Sequence, residues 1–127
     1  KIQFKLDTEK LTLPREIEIS LFRVIQECVN NAIKHSGAEK IEISLKHNER
    51  NNYLELSVND DGVGISTERM NRVDRFGLRG MRDRIQNLKG KFTVKPSKTS
   101  GTIVTANIPF KKTKDNIGKS FKTSKKD

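Results

Sequence analysis

Glu27, Asn31, Lys34 and His35 fall at i, i+4, i+7 and i+8, a spacing that on an α-helix holds them within about 100° of one another. An acid, an amide oxygen, a cation and an imidazole so arranged are more mixed than an ordinary solvated helix face. A carboxylate and an amide oxygen suit a hydrated Mg²⁺ or the positioning of a nucleophile. A lysine one turn on can meet a phosphate. A second cluster is Asp60-Asp61-Gly62-Val63-Gly64. If Asp60 continues the alternation of Leu54, Leu56 and Val58, its carboxylate points inward and needs donors, such as a ring-borne amine. Gly62 and Gly64 would let the backbone approach that ring or take up positive φ. The third cluster is Phe76-Gly77-Leu78-Arg79-Gly80-Met81, with glycines at a helix start where backbone N–H groups and the helix dipole attract an anion. The fourth, Ser100-Gly101-Thr102, is on its own only a turn leading into a strand. Gly118-Lys119-Ser120 looks like the end of a P-loop, but the first glycine of that motif would fall at Thr113 and no strand precedes it.

The elements that must position these clusters are legible from hydrophobic period. Residues 2–6 alternate as an edge strand would. A helix is predicted from Pro14 to about His35, with Leu21, Phe22, Ile25, Cys28, Val29, Ala32 and Ile33 on one broad apolar face and Ser36-Gly37-Ala38 as its stop. Ile41, Ile43 and Leu45, then Leu54, Leu56 and Val58, alternate on either side of a polar turn and predict a hairpin. Residues 62–76 are polar, irregular and long for a plain connection. A second helix is expected over about 77–89, striped by Leu78, Met81, Ile85 and Leu88 and ended by Gly90. Two strands follow, from Phe92 and over 102–109, around the turn Pro96–Gly101. The sum is an α+β sandwich with helices on one face of a largely antiparallel sheet.

With 127 residues and 32% apolar content the chain can build one modest core. The expected division is a folded domain over 1–110 and a basic, disordered tail over 111–127, which carries 7 Lys against 2 Asp. A single cysteine, Cys28, excludes an intrachain disulfide and a cysteine-built zinc site. No run reaches the length of a membrane span, and the expected location is cytoplasmic. Net charge is +10, and Arg69, Arg72, Arg75, Arg79, Arg82 and Arg84 cluster around the third motif. Such a cluster expects an anionic partner.

Taken in order, Glu-x-x-x-Asn on a helix, Asp-x-Gly-x-Gly after a hairpin, a glycine pair opening the next helix and Gly-Thr entering a strand form a four-part signature. It resembles the Bergerat-type ATP-binding domain shared by gyrase, ninety-kilodalton heat-shock chaperones, sensor histidine kinases and MutL proteins. The stretches LFRVIQECVNNAIKHSGA, VNDDGVGI, FGLRGMRDRIQNLKGKFTV and GTIVTANIPF are similar to sensor histidine kinases that pair with response regulators of the nitrate-regulator type. The resemblance covers about residues 10–110. It implies ATP and Mg²⁺ as ligands, Asp60 on the adenine amino group, Gly62 and Gly64 beside the ring, and Thr102, next to Gly101, supporting that contact. It further implies Asn31 as the Mg²⁺ ligand, Lys34 and His35 on the phosphates, and Glu27 as the catalytic acid that in related ATPases orients water. Gly77, Leu78 and Gly80 would belong to a lid over the triphosphate.

Two departures stand out. Phe76 occupies the place of a second glycine before Gly77, and neither His35 nor His47 opens a long helix with a following acid, as a phosphoacceptor would. The resemblance therefore implies an excised catalytic domain, or a kinase acting in trans, that transfers the ATP γ-phosphoryl group to a histidine on a separate dimerisation domain. A response regulator would act downstream, and membrane contact would come only through the parent protein. This chain alone is expected to be monomeric and to turn over ATP negligibly. Two alternatives are an anti-sigma-factor-type serine kinase of the same fold and a basic nucleic-acid-binding module, for which aromatic stacking platforms are sparse.

Overall fold

The computed structural model describes residues 1–8, 11–63, 77–97 and 100–113. Gly64, Phe76, Arg69, Arg72, Arg75 and the tail beyond Thr113 lie outside the described residues, as do the readings attached to them.

Period-two alternation builds the sheet. In β2 (Ile41–Asn48) and β3 (Tyr53–Asp60), Ile41, Ile43, Leu45, Leu54, Leu56 and Val58 turn to one face and are buried. The two strands pair antiparallel with Leu45 opposite Leu56. Their turn is closed by the Asn51 N–H donating to Asn48 Oδ1 at 3.0 Å, with Asn52 at φ 56°. β5 (Thr102–Pro109) continues the antiparallel ladder on β3, and β4 (Lys91–Pro96) pairs with β5. β1 (Ile2–Leu6) joins the other edge, parallel to β2. The order is β1-β2-β3-β5-β4.

Helix α1 (Arg15–Asn31) starts after Pro14, whose carbonyl accepts the N–H groups of Ile17 and Glu18. Its buried side runs through Ile17, Leu21, Val24 and Cys28. The expected apolar face was too wide. Phe22 and Ile33 are each 61% exposed, because the sheet takes up an arc centred between Val24 and Leu21, and both lie about 100° or more round the wheel from it. A π-helical turn, Ala32–Ser36, follows and ends at Gly37, φ 61°, with the Ala38 N–H on the Ala32 carbonyl at 3.1 Å. Helix α2 (Leu78–Asn87) buries Leu78, Met81 and Ile85. Its left-handed stop is Lys89, φ 64°, one residue before the expected Gly90. Glycine at 90 answers a close approach instead: a Cβ there would stand 2.4 Å from the Asn107 carbonyl. The two described α-helices lie on the apolar side of the sheet, and the core is the layer between helices and sheet.

Candidate functional site

The described residues of the four clusters fall at the ends of β3 and β5, along α1 and its π-helical turn, and at the start of α2, on the seam between helices and sheet. Asp60 ends β3 with the inward parity of Val58, and Gly62 N–H donates to its Oδ1 at 2.9 Å. The Thr102 N–H is a second donor to this carboxylate. Gly101, at φ 92°, lies so close that a Cβ would fall 1.9 Å from the Asp60 carbonyl oxygen. Only glycine lets the start of β5 lie against the end of β3 here. Burial is the largest influence on Asp60 and pushes its carboxyl above the usual range; the two N–H donors partly offset this, and the neighbouring Asp61 charge adds to the rise. Thr102 is 3% exposed, and its Oγ1 is buried with no hydrogen-bond partner among the described residues. A buried hydroxyl left so is costly unless a ligand or water completes it. A ligand amine facing Asp60 would meet an acceptor held in place by the backbone, with a second polar atom beside it.

From Asp60 the site continues under α1. Cys28 is buried, and its Sγ lies 3.8 Å from Met81 Sδ of α2. Burial, then the charges of Asp60 and Glu27, push the Cys28 thiol up to about 12, so it stays protonated and inert. Glu27, one residue back, places its side chain against the start of α2: a Cβ on Gly77 would lie 2.9 Å from Glu27 Cδ. Gly77 holds φ 67°, so both its conformation and its neighbour favour glycine. The first turn of α2 carries no acidic residue, and Gly80 inside it faces open space. Its N-terminal N–H groups can therefore take an anion.

Asn31, one turn after Glu27, is 9% exposed. Lys34 and His35 lie on the π-helical turn, Lys34 exposed and His35 half-buried. The structure thus brings Asp60 together with Gly62, Gly101 and Thr102, and Glu27 together with Gly77, and Cys28 feels the charges of both Asp60 and Glu27. Asn31, Lys34 and His35 follow along α1 and its π-helical turn, and Leu78 and Gly80 follow Gly77 in α2.

Asp61 is the residue that sequence reasoning passed over. Its Oδ1 accepts the N–H groups of Glu39 at 2.9 Å and Lys40 at 3.0 Å, and its own carbonyl accepts Ser100 Oγ at 3.1 Å. The N–H groups of Lys40 and Glu39 hold its carboxyl below the usual range. Asp61 clamps the segment after α1, the Asp-Gly turn and the approach to β5 together. Its partners lie 21 and more residues away, so no local pattern announces it. A broad concavity of about 810 Å³ on the sheet face opposite the described helices touches Gln3, Lys5, Glu42, Ser44, Ser57 and Asn59.

An α+β layer with an inward carboxylate, a helix opened by a left-handed glycine and a buried amide on the other helix is the setting of a nucleotide-binding domain. The chain belongs to the family of histidine kinase-, DNA gyrase B- and HSP90-like ATPases, whose profile matches residues 16–112. It is 35% identical over 116 residues to the signal transduction histidine-protein kinase/phosphatase DegS of Bacillus subtilis, covering 87% of this chain and 29% of that protein. It is 36% identical over 95 residues to the oxygen sensor histidine kinase NreB of Staphylococcus carnosus, covering 75% and 27%. Among solved structures, the histidine kinase domain of the blue-light activated histidine kinase from Erythrobacter litoralis superposes with a TM-score of 0.67 at 26% identity, covering 87% of this chain and 51% of that one. The chain spans less than a third of the two curated relatives. Its match is to the ATP-binding catalytic part of histidine kinases, and neither alternative weighed from the sequence is favoured. No helix among the described residues is long and apolar enough to cross a membrane.

Proposed function

We propose that this domain binds MgATP in the seam and supplies the γ-phosphoryl group to a histidine on a separate dimerisation domain, for passage to a response regulator. The observation that carries the reading is the Asp60 carboxylate, fixed by two backbone N–H groups beside the orphaned Thr102 hydroxyl. An adenine amino group satisfies the first, and the ring nitrogen side or a bridging water the second. Gly62 gives the ring room.

The triphosphate then runs along α1 towards the start of α2. Asn31 and Glu27 present the hard oxygens that suit Mg²⁺, which when bound neutralises phosphate charge. Lys34 and His35 are placed for the phosphate side, and the N–H groups after Gly77 for the terminal phosphate. The acceptor imidazole nitrogen attacks the γ-phosphorus in line, the bond to the bridging oxygen breaks, and ADP leaves. The domain's own contribution is positioning and charge neutralisation. Lacking a phosphoacceptor histidine of its own, the chain should bind ATP but turn it over negligibly. The test is transfer of labelled phosphate from ATP to a supplied histidine-bearing helical domain. Label appearing on the acceptor only with this chain present supports the reading; ATP binding without transfer to any such acceptor refutes the kinase step.

A further inference from the structure

β1 is an edge strand whose outer side has no partner among the described residues, and all five of its residues are exposed. Its hydrogen-bond phase is fixed at both ends: the Lys1 carbonyl accepts from Ile41, and the Asp7 N–H donates to Leu45. In a parallel ladder the bonding residues alternate, so Lys1, Gln3, Lys5 and Asp7 face β2. Ile2, Phe4 and Leu6 therefore aim their N–H and C=O groups at the free edge. Their side chains share the parity of Ile41, Ile43 and Leu45, yet remain 44%, 59% and 42% exposed, with no helix among the described residues packed over this margin. Phe22 stands about 140° round α1 from Glu27, on the flank turned away from α2, and is 61% exposed.

We propose that β1 pairs antiparallel with β1 of a second copy of this chain, about a two-fold axis through Phe4. In that register Phe4 faces Phe4, and Ile2 faces Leu6 of the other copy. All are residues with outward backbone groups, so each donates and accepts one hydrogen bond across the dyad. On the other sheet face Gln3 meets Lys5, and Lys1 meets Asp7. Neither the Lys1 side chain nor Asp7 has an ion-pair partner among the described residues. The neighbouring in-phase registers are excluded by charge. Slipping one way sets Lys1 against Lys5, and slipping the other sets Lys5 against Lys5 on the axis. The strand is thus self-complementary in backbone phase, apolar contact and charge at once. The product is a sheet running continuously through both copies, with the two Phe4 side chains at its centre. The proposal departs from the monomer expected from the sequence. It does not depend on the nucleotide reading, since none of the β1 residues it uses belongs to the proposed nucleotide site.

Sedimentation velocity of the full chain, from about 10 µM to about 1 mM in low salt, tests it. The expected result is reversible growth from the 14.5 kDa monomer towards twice that mass. Phe4→Lys, which sets two cations face to face on the axis, should weaken association at least ~10-fold. Its far-UV spectrum and melting temperature should stay those of the parent. Lys1→Asp should weaken association as well, and Lys1→Asp with Asp7→Lys should restore it. A chain that stays monomeric throughout overturns the proposal. So does association that Phe4→Lys leaves intact, or a charge swap that fails to rescue.

Discussion

Asp60 and Asp61 are adjacent, equally acidic and oppositely used. Asp60 is inward, its carboxyl raised by burial; Asp61 is outward, its carboxyl lowered by the backbone of Lys40 and Glu39. The signs have consequences for stability. A raised folded value means that Asp60 favours the fold below the ordinary Asp value of about 3.9 and that this contribution fades as pH rises through the raised value. A lowered value means that Asp61 favours the fold above about 3.9 and that its contribution is lost as pH falls through the depressed value. Asp60→Asn should therefore melt at or above the wild-type temperature at pH 7, since it removes a buried charge while the amide oxygen still accepts from Gly62 and Thr102. Asp61→Asn should melt below it, with the gap closing in acid; thermal scans from neutral pH down to about pH 3 check both. Asn31→Ala should reduce Mg²⁺-dependent ATP affinity by roughly 10-fold or more, with much less effect on Mg²⁺-free binding. Equal loss in both titrations would remove Asn31 as the metal-side residue.

At the scale of elements, three glycines do different work. Gly101→Ala would drive a Cβ into the Asp60 backbone and should be the most disruptive, costing about 3 kcal/mol or preventing folding. Gly77→Ala meets only the flexible end of Glu27 but must hold φ 67°, which should cost about 1 kcal/mol. Gly80→Ala meets open space within a helix and should stabilise by about 0.5–1 kcal/mol. Urea unfolding of the three variants ranks them; a Gly80→Ala variant less stable than Gly101→Ala would contradict the assignment. The hairpin, the last two strands and both helices were legible because their apolar periods are clean and their turns are polar. The width of the buried face of α1 was not. Phe22 and Ile33 satisfy helical period as well as Leu21 does, and only the position of the sheet decides which of them it covers. Likewise the Asp61 clamp and the Glu27–Gly77 contact join residues far apart in the chain, where spacing carries no signal.

Over the whole molecule, the +10 charge is divided between the body and the basic tail. The last buried side chain among the described residues is Phe110, 6% exposed, whose N–H donates to the Asn52 carbonyl at 2.9 Å. Beyond it, the exposed Lys112–Glu49 pair is a surface bridge worth at most about 1 kcal/mol. Deleting residues 111–127 should thus leave nucleotide affinity unchanged and cost at most that amount of stability. A large loss of affinity would place the tail over the seam. The central claim is that the seam selects adenine through Asp60. Isothermal titration of the wild type and of Asp60→Asn with ATP and GTP in Mg²⁺ tests it most directly. The wild type should bind ATP at least ~10-fold tighter than GTP, and Asp60→Asn should lose most of that preference while remaining folded. Undiminished preference for ATP in a folded Asp60→Asn protein would contradict the claim.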